Sequence, residues 1–325
     1  MPLSDNSNKN PPNVKKTRSK KSEVKPLFAK HDPACCLVSG LFRSLKKGER
    51  STSRLDVTYQ ISETETCRFI GFEPLGIEEL RVLQGLAAYC GAPYRQDRML
   101  VDHNTKSNVG QLLRKKAELD GDAVHEIMSV SNLHPYIFLD QLNIDPRKRN
   151  FDALMESLLR LSNVTMQYRN TEKKKGCLGW AATHLLSFAV VDEQLFVSLN
   201  YRLTQAMLQL DGRQPYTLIS MDEVRSIHSC MTRLIHQRLC GWLRQGQTSK
   251  VSLEKLMSYA YPDDERTPEC TPATRRKRLQ RTRSCLEELK SIGWAFDEIE
   301  KNVYRVERPK AVKTVSEEEQ ESSEF

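Results

Sequence analysis

Between Thr271 and Gly293 the chain carries both boundaries of one long helix, and an alternating hairpin pattern follows at once. Thr271-Pro272 is an N-cap with proline at the first helical position, where its missing N–H would be unpaired anyway. Gly293 supplies the stop. At about 100° per residue, Leu279, Thr282, Leu286 and Leu289 fall on one side, with Arg275 at its edge. Lys277, Gln280, Arg281 and Ser284 fall on the opposite side, flanked by Arg276 and Arg278. Trp294–Ile299 and Val303–Val306 then alternate around Lys301-Asn302, the pattern of two strands and a turn. Such a helix packs its inner row on its own body and offers a basic outer row to a partner.

The segment before it reads the same way. Ser220-Met221-Asp222-Glu223 is a capping box, in which Ser220 accepts from the Glu223 N–H and Glu223 reaches back to the Ser220 N–H. It predicts a long helix to about Leu243, with Val224, Ile227, Met231, Leu234 and Ile235 inward. A shorter helix starts at the cap Ser252, carries Leu253, Leu256, Met257 and Ala260, and stops at Pro262.

The first half repeats the order. Arg54–Tyr59 and Cys67–Phe72 predict a hairpin, and Ile77 to Cys90 a helix ended by Gly91-Ala92-Pro93. The stretch 94–130 is polar, with a strand near Val124–Val130. A short helix follows at Pro135–Leu142, and Asp145-Pro146 opens another to about Leu161, on Phe151, Leu154, Leu158 and Leu161. Strands are predicted at Val164–Arg169, Trp180–Val190 and Leu195–Leu199, with a Lys173–Gly176 turn between the first two, then a helix at Leu203–Leu210. Each half thus reads helix, helix, helix, hairpin. The expected class is α+β, a tandem winged-helix arrangement of two helix-turn-helix units each with a β-wing. The expected divisions are a disordered basic arm over 1–30, a first winged-helix domain with an inserted loop region over 31–214, a second over 215–308, and a disordered acidic tail over 309–325.

The charge map supports this division. The formal net charge is +8. Residues 1–30 hold +6 and residues 309–325 hold −3, which leaves +5 for the body. Residues 272–290 alone carry +5, so the remainder of the body is neutral. One concentrated basic stretch on a neutral body points to a directed contact with a polyanion. Arg and Lys can bond guanine O6 and N7, and Gln can pair with adenine in a major groove. Candidate DNA contacts are Arg275, Arg276, Lys277, Arg278, Gln280, Arg281, Arg283 and Ser284. Arg147, Lys148 and Arg149 open the matching helix of the first half and are candidates for a second, weaker contact. The competing readings of the basic run are a solvated helix face, an RNA-binding helix and a membrane-surface helix. The last needs an uncommitted apolar face, and here that face is claimed by the fold. Duplex DNA is favoured.

Several classes are disfavoured. No apolar run of 18 residues occurs, so no membrane span is expected, and the basic N-terminus lacks an apolar core for a secretory signal. The nine cysteines show no C-x-x-C spacing, and free thiols in a bacterial cytoplasm are expected. Cys90, Cys230 and Cys285 fall in helical patterns as small hydrophobes. No Gly-Lys pair occurs, so there is no P-loop, and H-x-H, H-E-x-x-H and G-x-S-x-G are absent. His228 and His236 read as packed or solvent-edge residues rather than ligands, and Trp180, Trp242 and Trp294 as core anchors. No catalytic residue, metal or cofactor is assigned. A non-enzymatic DNA-binding protein is expected. A transcriptional regulator and a DNA-processing enzyme of unfamiliar type are the alternatives.

Blocks of the chain resemble a known family, the RepC replication initiators of IncQ-type broad-host-range plasmids. They are His31-Asp32-Pro33, Gly40–Arg43, Gly48-Glu49-Arg50, Leu55–Tyr59, Glu73–Gly76, Leu83–Leu86, Ile219–Arg225, Leu239–Trp242 and the Arg276-Lys277-Arg278 to Arg281 run. The resemblance spans roughly 31–310 and departs at 92–150 and in both tails. It implies a nucleotide-independent initiator that binds direct repeats (iterons) in duplex origin DNA. It also implies opening of an adjacent A·T-rich region and loading of a plasmid-encoded helicase and primase. Similar tandem winged-helix initiators switch between a homodimer, held through the first domain, and a DNA-binding monomer. The sequence itself does not set the oligomeric state.

Overall fold

The computed structural model describes residues 25–93, 97–172, 179–210, 212, 214–262 and 271–310. It is a mixed α/β molecule. In chain order the first elements are β1 (Phe28–His31), α1 (Pro33–Leu37), α2 (Glu49–Thr52), β2 (Leu55–Gln60), β3 (Glu65–Gly71) and α3 (Ile77–Gly91). β4 (Met99–Val101), α4 (Asn108–Lys116), β5 (Asp120–Gly121), a 3-10 turn (Asp122–His125) and β6 (Met128–Leu133) follow. Next come α5 (Pro135–Gln141), α6 (Lys148–Ser162), β7 (Thr165–Asn170), β8 (Trp180–His184), β9 (Leu186–Val191), β10 (Gln194–Leu199) and α7 (Tyr201–Leu208). The second half holds β11 (Thr217–Ser220), α8 (Met221–Ser226), α9 (Cys230–Trp242), β12 (Thr248–Ser252), α10 (Leu253–Ala260), α11 (Pro272–Ser291), β13 (Ala295–Glu300) and β14 (Val303–Glu307).

Four sheets organise these elements: β2-β3-β7-β8-β5, β4-β6-β10-β9, β12-β14-β13 and the ribbon β1-β11. The predicted first hairpin forms, with Leu55 opposite Gly71 and Tyr59 opposite Cys67. α3 is the central helix. It is apolar on more than one face, with Ile77, Leu80, Val82, Leu83, Leu86, Ala87, Ala88 and Cys90 all buried, as expected for a helix surrounded by protein. It packs on β1, α6 and α7. Gln84 on α3 donates through Nε2 to Gln237 Oε1 on α9 at 3.0 Å, and Gln237 Nε2 donates to the Cys35 carbonyl at 3.0 Å. These buried amides join the halves through a single apolar core that runs from Ala29 to Val306.

Several expectations are corrected. The end of the arm predicted over 1–30 is a strand: Phe28–His31 form β1 and pair antiparallel with Thr217–Ser220. Residues 1–24 and 311–325, which hold most of the expected arm and tail, and the Lys173–Gly176 turn lie outside the described residues. The strand predicted over 180–190 is two strands. The chain leaves one sheet at Leu185 and enters the next, so β8 pairs with β7 while β9 pairs with β10. The polar stretch 94–130 is not loop. It holds β4, α4 and β5, and β6 begins at Met128; Leu113, Met128 and Val130 bury a second small core with Ala189. Asp145 is not a cap. Arg147 is the N-cap residue and α6 starts at Lys148. The first half therefore keeps the helix order only with a whole sheet inserted.

The long helix predicted from Met221 is also two helices. Ile227 is extended (ψ 125°), and Ser229 caps α9 afresh. Tertiary contacts satisfy the groups this break exposes. The Glu288 carboxylate on α11 accepts from the His228 N–H at 2.6 Å, the Ser229 N–H at 3.1 Å and the Thr232 hydroxyl at 2.5 Å. The buried Arg233 donates to the Val224 carbonyl at 2.6 Å and to the Ile227 carbonyl. Each helix end would otherwise leave unpaired backbone groups. The β12 strand was not foreseen. Its short polar run pairs with β14, where Val251 faces Tyr304.

Candidate nucleic-acid interface

α11 follows its sequence signals closely. Thr271 accepts from the Thr274 N–H at 3.2 Å, Pro272 is the first helical residue, and Gly293 lies just past the end at φ +99°. That φ suits glycine because it lacks a Cβ. Thr282, Cys285, Leu286 and Leu289 are buried and Leu279 is half-buried. This row packs α11 on α9 and α10. Glu288 ties the helix to the α8–α9 break. Burial would push the Glu288 carboxyl up, and its three donors outweigh that and hold it low.

The basic side chains divide into two groups. Arg275 pairs with Glu254 of α10 at 2.5 Å, with both side chains more than half exposed. Arg278 lies over the Tyr261 ring, 4.4 Å from its centroid. Arg283 donates to Asn302 Oδ1 at the turn of the β13-β14 hairpin, at 2.6 Å. These three brace the helix against α10 and the hairpin. Arg276, Lys277 and Arg281 are exposed, and none has an ion-pair or hydrogen-bonded side-chain partner among the described residues. Gln280 and Ser284 are exposed on the same side. A cleft of about 430 Å³ opens along the Arg281–Ser284 edge, with Ser229, Thr232 and Tyr261 across from it.

In the first half, Arg147 pairs with its neighbour Asp145 at 2.6 Å, while Lys148 and Arg149 project from the first turn of α6. Leu154, Ser157, Leu158 and Leu161 bury the other face of α6. The two basic groups thus sit on helices of different halves and do not form one cluster.

A family model described as replication protein C (RepC) matches residues 24–310. The chain belongs to the replication protein C family. No curated protein matches it. Among solved structures, this RepC chain is similar to a selenomethionine derivative of domains 2 and 3 of RctB. The identity is 9%, the TM-score 0.50, and the match covers 86% of this chain and 99% of that one. Another structure of RctB domains 2-3 has 10% identity and TM-score 0.44, covering 78% of this chain and 90% of that one. At such identity the likeness concerns fold alone. No helix among the described residues is long and apolar enough to cross a membrane.

Residues of the family blocks, Asp32, Arg50 and Gly76 among them, take part in two buried ion-pair groups. Asp32 accepts from Arg202 Nε at 2.7 Å and caps α1 through the Ala34 N–H at 2.7 Å. Burial works against the charge on Arg202, and the Asp32 carboxylate reverses this and holds its pKa up. Glu79, fully buried, accepts from the Gly76 N–H at 2.7 Å, Arg50 at 3.0 Å and Arg160 at 3.1 Å.

One expectation about the capping box fails. Ser220 accepts from the Glu223 N–H at 3.4 Å, but the Glu223 carboxylate does not return to the cap. It turns inward, 2.6 Å from His236 Nε2, and accepts from the Trp294 indole N–H at 3.0 Å. Cys240 Sγ lies 3.4 Å from the same imidazole nitrogen. Burial opposes a charge on His236, and the Cys240 sulfur and Glu223 carboxylate outweigh it, pushing its pKa up to about 9. The sequence reading placed His236 as a packed or solvent-edge residue and assigned this trio no role. The signal available was the His236-x-x-x-Cys240 spacing, which puts both side chains on one helix face; the partner Glu223 had been assigned to the cap. Cys230, also expected to be packed, is exposed because it is the first residue of α9.

Proposed function

We propose that this protein is a plasmid replication initiator whose 215–308 segment is a winged-helix domain that reads duplex origin DNA with α11. The helix, strand, helix, helix, hairpin order and the three-stranded sheet β12-β14-β13 support this reading. The observation that carries it is the free outer row of α11. Arg276, Lys277, Gln280, Arg281 and Ser284 are exposed, with Arg281 and Ser284 at the edge of the cleft, while Arg275, Arg278 and Arg283 fix the helix in place. In this reading the outer row enters the major groove, and the bracing arginines hold the helix at the angle that lets it enter. Lys148 and Arg149, with Arg147 beside them, make a second contact from the 31–214 segment. The protein binds direct repeats, opens the adjacent A·T-rich region and recruits a helicase and primase. It does this as a DNA-binding rather than a catalytic protein, in the cytoplasm.

Footprinting on the plasmid's own origin tests the reading. Protection of head-to-tail repeats supports an initiator. Protection of a palindrome supports a regulator built on two-fold dimers. Nicking of supercoiled origin DNA in Mg²⁺ or Mn²⁺ at stoichiometric protein would replace it with an enzyme.

A further inference from the structure

A second site lies beneath the proposed DNA-reading helix and is independent of that function. Glu223, His236 and Cys240 bring a carboxylate oxygen, an imidazole nitrogen and a sulfur within 4.8 Å of one another. Three different donor types converge, and none points to solvent as its main partner. His236 and Cys240 are buried, at 1% and 3% exposure. They come from successive turns of α9, and Glu223 comes from α8, across the break described above.

The contacts are not those of a nucleophilic triad. In that arrangement the carboxylate would hold one imidazole nitrogen and the thiol the other. Here carboxylate and thiol both address Nε2, at 2.6 and 3.4 Å. An imidazole nitrogen, once its proton is displaced, with one sulfur and one carboxylate oxygen beside it, matches the ligand set of a borderline-soft divalent cation. Zinc bonds are about 2.0–2.1 Å to nitrogen, 2.0–2.2 Å to oxygen and 2.3 Å to sulfur. Tetrahedral ligation then needs the histidine–glutamate contact to open by about 0.8 Å, while the nitrogen–sulfur spacing is close to what is required.

The surroundings supply an orienting donor beside a competing cation, the Arg308 guanidinium over the Trp294 ring at 5.8 Å. The Trp294 indole donates to Glu223 Oε2 and fixes the carboxylate, and the Trp294 ring lies edge-on to His236 at 5.8 Å. Outer-shell partners of this kind orient ligands. The Glu223 side chain keeps 16% exposure, which gives an ion a way in. We propose that Glu223, His236 and Cys240 bind one Zn²⁺ or a similar divalent cation, with water completing the shell. The ion pins α8 to α9 directly under Trp294, where α11 hands over to the hairpin.

The test uses the full-length chain, freed of metal and titrated with Co²⁺ as the spectroscopic probe. The expected result is one equivalent of Co²⁺ bound with the thiolate-to-metal charge-transfer band and the intense visible bands of tetrahedral cobalt, displaced by Zn²⁺. The band persists in Cys230→Ser and is lost in Cys240→Ser and His236→Gln, with folding checked by circular dichroism. Trp294→Phe is expected to weaken Zn²⁺ binding roughly 10–100-fold while keeping the band. Absence of the band in the wild-type protein at stoichiometric Co²⁺ overturns the proposal, whatever the variants do. A band that survives in Cys240→Ser overturns it as well, since another cysteine then supplies the thiolate.

Discussion

The Arg278 guanidinium sits 4.4 Å from the centroid of the Tyr261 ring. This stacking takes one cation of the basic helix out of the set free to meet a ligand. The net charge of α11 therefore overstates what it can offer the proposed DNA partner, because its seven basic residues include braces.

The readers and braces are separable by mutation. Lys277→Ala and Arg281→Ala are expected to weaken binding to an origin repeat by about 1–3 kcal/mol each if the side chain reads a base. A phosphate contact instead lowers affinity evenly across sequences and reduces the salt slope by about one. Gel-shift titrations at several salt concentrations distinguish the two. Unchanged affinity in both variants at all salts would remove α11 as the interface.

The braces behave differently. Arg275→Ala breaks an exposed ion pair, worth about 0.2–1 kcal/mol. Arg278→Ala removes the stacking on Tyr261, worth about 0.5–1 kcal/mol at an exposed site. Urea unfolding is expected to show these small stability losses. A binding loss larger than that of Lys277→Ala would reverse the assignment of the two groups.

Asp32 and Arg202 form a nearly buried pair at 2.7 Å that also caps α1. Removing one partner leaves a buried charge without compensation. Asp32→Ala is expected to cost about 3–5 kcal/mol, measured as a fall in the unfolding midpoint. A loss below about 1 kcal/mol would mean that water reaches Arg202 in the variant.

Acid stability depends on Glu79. Burial raises its pKa, but the Gly76 amide and the Arg50 and Arg160 guanidinium groups outweigh burial and hold it below the ordinary 4.5. The carboxylate is therefore favoured in the folded state. Its stabilisation is complete above the unfolded value and is lost as the pH falls through the folded one. Unfolding midpoints measured from pH 7 downward are expected to drop below about pH 5, and Glu79→Gln is expected to lower stability at pH 7 and flatten this slope. Parallel profiles for the two proteins would count against it.

Gly121 holds φ +60° where β5 meets Trp180, and a Cβ there would run into the indole ring and lie 2.6 Å from the Trp180 carbonyl. Gly121→Ala combines backbone strain with overpacking and is expected to destabilise by about 1–3 kcal/mol or more. Thermal unfolding is the measurement, and a neutral result would show that the β5-β8 edge yields freely.

The strongest local signals were legible without tertiary information. The Thr271-Pro272 cap, the Gly293 stop and the inner row Thr282, Leu286 and Leu289 follow from helical periodicity and terminal chemistry, which act within one turn of the chain. The Lys301-Asn302 turn likewise appears where expected, with Asn302 at φ +64°. The stretch 94–130 was not legible. α4 is short and mostly polar, with only Gly110 and Leu113 buried, and its Ser107 cap was the signal available.

The sequence by itself determined the basic helix and which of its rows packs inward, because capping, periodicity and charge are properties of neighbours along the chain; the family came from the resemblance of whole blocks and the family-model match. Only the tertiary structure decided where the second long helix breaks, since the break depends on Glu288 and Arg233 reaching it from other turns and elements. It also decided which arginines are braces, since Tyr261, Glu254 and Asn302 arrive by folding. The turn of Glu223 away from its cap toward His236 and Trp294 has the same origin: a buried imidazole and indole offer the carboxylate stronger partners than an amide its own helix end could leave to solvent.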